Sequence, residues 1–215
     1  MTVENQTFEQ IQKNAKIFLT GDDVPDVMEY NKGNATAGQL ASQGLLTPPL
    51  TDEAESRGWA DTLPASIQTT ATYDEQGLMG SGDWYGGVPN YGEFVGVYYN
   101  QDMLDQYGLA VPTTFDEFEN VLKTFKDNGV TPPIATAGSE YPMGQLWYEL
   151  VLHYADRDLI DQYQLFTEDV DFHDAAFQQA TEKLDEWIKA GYVAADSAAL
   201  TAEDMGVSFI NGTYR

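Results

Sequence analysis

The segment 88–118 constrains the fold more than any other part of the chain. It opens at Val88-Pro89 and runs into Phe94-Val95-Gly96-Val97-Tyr98-Tyr99, a β-branched and aromatic stretch of strand composition. Asn100 follows as an N-cap for a short helix over 101–107, and Gly108 supplies its stop. Thr114-Phe115-Asp116-Glu117 is then a capping box, and Phe115, Phe118, Leu122 and Phe125 form one apolar stripe before Gly129. A strand feeding capped helices is the signature of an α/β chain.

The alternation extends in both directions. Thr7-Phe8-Glu9-Gln10 is a capping box, with Phe8, Ile11, Ala15 and Phe18 on one helical face until Gly21. Residues 24–30 read as a short buried strand, and Thr36 opens a helix that ends at Gly44. Helical pieces are expected over 51–57 and 61–69, and strands over 84–89 and 133–136. A helix over 142–155 begins with Pro142, and Asp174 caps the last long helix. That helix buries Phe177, Ala180, Leu184, Trp187 and Ile188 and closes at Gly191. The expected fold is α/β with mainly parallel sheets. Gly92, between two strands, marks a hinge near 91–94, which divides the chain into lobe one (1–91) and lobe two (92–215).

Composition narrows the function. With 42% apolar and 13% aromatic residues, the 215-residue chain can build real cores, and disorder is excluded. Against 10 bases stand 35 acids, a formal charge of −25, which sets nucleic acid and anionic lipid aside as partners. The acidity is either a solubility adaptation or part of a site for a cationic ligand. There is no cysteine, so disulfides, thiolate zinc sites and cysteine nucleophiles are out. No apolar run is long enough to span a bilayer, and Met1-Thr2-Val3-Glu4 lacks the basic and apolar regions of a signal peptide.

Catalytic signatures are equally sparse. His153 and His173 have no ligand pattern around them, and Gly80-Ser81-Gly82-Asp83-Trp84-Tyr85-Gly86 puts its third glycine out of register for a dinucleotide site. Asp156-Arg157-Asp158-Leu159-Ile160-Asp161 lacks the glycine and later glutamate of a calcium loop. A glycoside hydrolase using two carboxylates stays open as an alternative, because so many acids give no way to choose a pair, and so does a two-lobed α/β protein that binds a non-sugar ligand.

Several motifs resemble one family. Gly21-Asp22-Asp23-Val24-Pro25-Asp26-Val27 is similar to its G-x-x-P-D-V signature. Tyr99-Asn100, Gly108-Leu109, Pro112-Thr113-Thr114-Phe115-Asp116-Glu117-Phe118 and Phe209-Ile210-Asn211-Gly212-Thr213 also match. The family is the extracellular solute-binding proteins of ABC importers, and within it the sugar-binding branch. The resemblance implies a two-lobed periplasmic-binding-protein fold of type II, incomplete here at both ends, as in a central fragment. It implies a monomer that captures a mono- or oligosaccharide between its lobes and delivers it to ABC permease subunits. No catalysis, cofactor or metal would be involved. The full-length form would be extracellular, lipid-anchored at the cell surface or periplasmic.

The resemblance also selects candidate ligand contacts. Tyr30, Asn31 and Asn34 follow the first strand, where α/β sheets place ligands, and read equally as a plain polar loop. Glu93 lies at the hinge, where a carboxylate could accept from two neighbouring hydroxyls or simply face solvent. Glu140, Tyr141 and Met143 lie in the loop entering a lobe-two helix, where the family packs an aromatic ring on a sugar face. Asp26 reads first as a turn residue, Trp147 and Trp187 as core, and Trp59 and Trp84 either way.

Overall fold

A computed structural model describes residues 2–46, 49–86, 92 and 94–212. The chain falls into two compact units, Met1–Glu93 with Gln164–Thr167, and Phe94–Tyr163 with Glu168–Arg215.

The first unit is built from short helices: α1 (Phe8–Thr20), α2 (Ala37–Ser42), α3 (Thr51–Ser56), α4 (Trp59–Thr62) and α5 (Ala65–Thr69). The box at the start of α1 is closed both ways: Gln10 N donates to Thr7 Oγ1 (3.3 Å) and Thr7 N to Gln10 Oε1 (3.0 Å). Two-residue strands β1 (Thr72–Tyr73) and β2 (Asp83–Trp84) pair antiparallel, Thr72 opposite Trp84. Tyr73 anchors the unit: its ring is buried, and its hydroxyl donates to Thr70 O (3.2 Å) and accepts from Gly33 N (2.9 Å). Beside it, Gly38 and Gly77 bring two backbones into contact; a Cβ on Gly38 would collide with the Gly77 carbonyl oxygen.

The second unit holds α6 (Gln101–Gln106), α7 (Phe115–Asp127), α8 (Pro142–Tyr154), most of α9 (Arg157–Leu165), α10 (Ala175–Lys189), a 3₁₀ turn (Ala195–Ala199) and α11 (Ala202–Ile210). Asn100 Oδ1 caps α6 by accepting from Met103 N (3.1 Å). At α7, Glu117 N donates to Thr114 Oγ1 (3.2 Å), while Glu117 Oε2 accepts from Thr113 N (2.8 Å) and Thr114 N (3.2 Å). α8 packs on α10, and Leu122, Leu150, Val151, Phe177, Ala180 and Trp187 form the main core, each burying about 1.5–3 kcal/mol worth of apolar surface where the side chain is large. A smaller cluster joins Met103, Leu104, Val121, Phe125 and Val130. Glu119 Oε1 ties α7 to α10 by accepting from Trp187 Nε1 (2.9 Å) and Lys183 Nζ (3.1 Å).

The strands depart from expectation. Neither 24–30 nor 94–99 forms a strand, and Val27, Phe94 and Tyr98 are 90%, 84% and 83% exposed. Of the segment 84–89, only Trp84 is in a described strand, with antiparallel pairing, and 87–89 lie outside the described residues. The segment 133–136 contributes one parallel bridge, Ile134 to Val193. Among the described residues this bridge is the sole parallel pairing, where mainly parallel sheets were expected. The physical reason is that strand composition measures fit against neighbouring strands, and parallel pairs are non-local; without a neighbour, the run cannot form a ladder. At α2, Thr36 does not cap: its hydroxyl donates to Gly33 O (3.2 Å).

Candidate functional site

In the first unit the loop carrying Tyr30, Asn31 and Asn34 is held by its own backbone. Ala37 N donates to Asn31 O (3.2 Å), Gly38 N to Gly33 O (3.0 Å), and Tyr73 fixes Gly33. Asn34 Oδ1 accepts from Met79 N (2.6 Å), so this side chain ties two loops together. Tyr30 is half-buried and Asn31 exposed. Sequence reasoning missed Lys32 in the same loop. Its ammonium lies against the Gly86 backbone, where a Cβ would meet Nζ at 2.7 Å. Although the residue is exposed overall, desolvation at that end lowers its pKa below the usual lysine value. Among the described residues no carboxylate forms an ion pair with Lys32, whose ammonium carries three N–H donors. The signal was a cation in a candidate loop of a chain with only 10 bases.

Nearby in sequence to Gly86, Trp84 meets Trp59 edge-on, centroids 5.8 Å apart at 67°. Trp84 is locked in place because Leu50 N donates to its carbonyl (2.6 Å) and its own N–H reaches Thr51 Oγ1 (3.2 Å). These two rings are paired with each other, and both are half-buried.

In the second unit the loop 138–141 is stapled to the segment 197–202. Gly138 N donates to Ser197 O (2.7 Å), Ser139 N to Leu200 O (3.1 Å) and Ser139 Oγ to the same carbonyl (2.6 Å). Glu140 Oε2 accepts from Ala202 N (2.8 Å) at the start of α11, where a carboxylate also complements the helix dipole. Gly138 allows this approach, since a Cβ there would lie 2.9 Å from Ala198 Cα. Tyr141, next in the chain and 64% exposed, immediately precedes Pro142, the first residue of α8. Met143 is half-buried and its N–H donates to Ala137 O (2.8 Å). The structure thus brings Glu140, Tyr141 and Met143 together on one rigid turn, with Glu140 committed on one oxygen.

Glu93 lies outside the described residues, as does Tyr91 at the expected hinge. Trp187 is core as expected, 1% exposed, whereas Trp147 is only partly buried and donates through Nε1 to Thr181 Oγ1 (3.1 Å). His153 stacks on Phe115, centroids 4.2 Å apart at 15°. Among the described residues no group of three or more His, Asp and Glu could hold a metal, and no helix is long and apolar enough to cross a membrane.

Solved structures place this architecture. A chain from a study of xylan utilisation by the thermophilic bacterium Caldanaerobius polysaccharolyticus superposes with a TM-score of 0.69 at 23% identity, covering 96% of this chain and 49% of that one. A chitin oligosaccharide binding protein gives 0.68 at 19% identity, with 95% and 48% covered. The bacterial solute receptor AcbH, described as exclusive for β-D-galactopyranose, gives 0.71 at 20%, with 99% and 50% covered. The fold is that of the two-lobed periplasmic binding proteins of type II. The profile of the bacterial extracellular solute-binding proteins matches residues 2–214, and the chain belongs to that family.

Curated relatives agree. A probable sugar-binding periplasmic protein of Rhizobium meliloti (strain 1021) is 31% identical over 112 residues, 52% of this chain and 25% of that protein. One of the same description from Brucella suis biovar 1 (strain 1330) is 32% identical over 114 residues, 53% of this chain and 25% of that protein. The chain therefore aligns with a quarter of each relative's length and about half of each solved chain.

Proposed function

We propose that this chain binds a carbohydrate, as one sugar or a short oligosaccharide, for an ABC importer, and performs no chemistry on it. The observation that carries the reading is Tyr141: an exposed aromatic plate on a turn fixed by backbone hydrogen bonds, with a carboxylate beside it. Sugars present apolar C–H faces edged by hydroxyls, so a ring with adjacent acceptors is the matching surface. The sugar-binding descriptions of the relatives support the same ligand class.

In this reading the ligand is held by lobe one over 1–91 and lobe two over 92–215, with a hinge near 91–94; outside the hinge the two compact units follow this division except that Gln164–Thr167 belongs to the first. Tyr30, Asn31, Asn34 and Lys32 serve lobe one, Tyr141, Met143 and the second oxygen of Glu140 serve lobe two, and Glu93 serves the hinge. Ligand shifts the lobes to a closed state by its differential affinity. The protein works as a monomer outside the cytoplasmic membrane, periplasmic or lipid-anchored, and delivers its load to the permease subunits.

The test is calorimetric titration of the chain with methyl pyranosides and short oligosaccharides, with reducing-sugar release followed in the same samples. Saturable heats without product, weakened at least about tenfold by Tyr141→Ala, are expected. Released reducing sugar would overturn the binding-only reading, and heats indifferent to Tyr141→Ala would remove the proposed plate.

A further inference from the structure

The second unit carries another aromatic surface, built on α8, α10 and the turn before α10 and lined by none of the residues 138–141. It is a groove of about 430 Å3 lined by Trp147, Phe172, Phe177, Gln178, Thr181 and Glu182. Phe177 is its buried floor. The Trp147 ring lies nearly parallel to that floor, centroids 5.9 Å apart at 14°, and its N–H is tied to Thr181. Phe172 leans on Phe177 (5.4 Å) and on Tyr163 (6.3 Å) and is still 63% exposed.

Both free rings are preorganised. The turn under Phe172 is pinned because Asp171 Oδ1 accepts from His173 N (2.9 Å), Asp171 O accepts from Asp174 N (3.0 Å) and Asp174 Oδ1 caps α10 at Ala176 N (2.8 Å). An exposed phenylalanine on a mobile tip would be unremarkable; one held by three hydrogen bonds beside a fixed tryptophan is a ready surface that costs little entropy to engage. Along α10, Gln178, Thr181 and Glu182 stand at i, i+3 and i+4, one helical face. Gln178 Nε2 donates to His173 O (2.7 Å), leaving Oε1 as an acceptor, and Glu182 makes no ion pair among the described residues.

The ligand class follows by exclusion. Glu182 and a net charge of −25 disfavour anions. A wholly apolar ligand would make no use of the exposed Gln178 and Glu182 side chains at the rim of the groove. A quaternary ammonium wants rings on several sides, whereas Trp147 and Phe177 are stacked on each other and do not face across a box. What remains is a neutral ring with one apolar face and hydroxyls at its edge. We propose that this groove is a second saccharide site, taking one pyranose ring against Phe172 and Trp147 with its hydroxyls on Gln178 and Glu182. It lies wholly within the second unit and does not depend on the binding reading argued for Tyr141.

The experiment is a two-dimensional amide NMR titration of the full chain with methyl β-D-glucopyranoside, maltotetraose and chitotetraose, with tetramethylammonium as a fourth probe. Saturable shifts at 147 and 172–182 are expected with a saccharide, unchanged in Tyr141→Ala and about tenfold weaker in Phe172→Ala. Glu182→Ala, at an exposed position, is expected to weaken the same shifts. Silence of these residues with every saccharide, affinity unchanged in both variants, or saturation by tetramethylammonium alone would overturn the proposal. If binding through Tyr141 fails while the groove still responds, the first reading falls and this one stands.

Discussion

The Glu119 bridge between α7 and α10 offers the sharpest test of how the second unit is held together. Its Oε1 accepts from Trp187 Nε1 (2.9 Å) and from Lys183 Nζ (3.1 Å), and the Trp187 residue is only 1% exposed. Glu119→Leu strands the indole N–H away from water, a cost of about 1–3 kcal/mol. The lysine loses less, because Glu186 Oε2 still holds it at 2.9 Å, and a partly exposed pair is worth about 1 kcal/mol or less. The sum is about 1–4 kcal/mol, or a melting temperature lower by about 2–16 °C at this chain length. Glu119→Gln keeps an oxygen for the indole and is expected to cost only about 1 kcal/mol. Urea melts read at constant m-value, with amide exchange in α7 and α10 to assign the effect to this unit, make the comparison. If the leucine and glutamine variants agree within about 0.5 kcal/mol, the hydrogen bond to Trp187 is not what matters and the reasoning fails.

Other expectations follow from the same geometry. Thr114→Ala removes one arm of the α7 box and is expected to cost about 1 kcal/mol by urea melting. The Glu117 carboxyl is held below its usual pKa first by the Thr113 N–H. Its contribution is therefore present above the unfolded value and lost as pH falls through the folded one, so the first turn of α7 should lose exchange protection as acid pH passes the folded value. Lys183 is raised chiefly by its bond to Glu186, so its contribution is complete below the unfolded value and disappears as alkaline pH passes the folded one; an alkaline melt series on wild type and Lys183→Met should converge there. Gly138→Ala forces a Cβ to 2.9 Å from Ala198 Cα and should destabilise by about 1–3 kcal/mol while displacing Tyr141, read by melting and sugar titration together. Glu140→Gln should keep the α11 cap and full stability, whereas Glu140→Ala should melt lower; equal melting of the two would remove the capping role.

What the sequence revealed of the fold was what is decided within a few residues. Thr7 with Gln10, Asn100 with Met103 and Thr114 with Glu117 are caps whose partners lie three positions away, and all three form as expected. The same logic was available and went unread at Thr201, whose side chain and N–H close a box with Asp204 at the start of α11, and at Asp156, which accepts from Leu159 N at the start of α9. The strands are a different matter. Val27 and Phe94 belong to segments with every compositional mark of β-structure, yet pairing is a property of two segments, and a single run says nothing about whether its partner is at hand.

The candidate site divides along the same line. Residue type marked Glu140 and Asn34 as acceptors suited to sugar hydroxyls, but an acceptor serves whichever donor reaches it first. For Asn34 that donor is Met79 N and for Glu140 it is Ala202 N, 45 and 62 positions away, contacts invisible to any local reading. Lys32 is the opposite case: its ammonium is partly desolvated against Gly86, and among the described residues no carboxylate forms an ion pair with it. A carboxylate has more lone pairs than one backbone N–H can use, so the cap on α11 and a ligand hydroxyl are compatible demands on Glu140. The cap then does what supporting contacts do in a binding site: it fixes the turn, and with it the direction in which Tyr141 presents its ring. In the proposed reading, this turn presents an exposed ring whose position is set by the Glu140 cap and by Gly138.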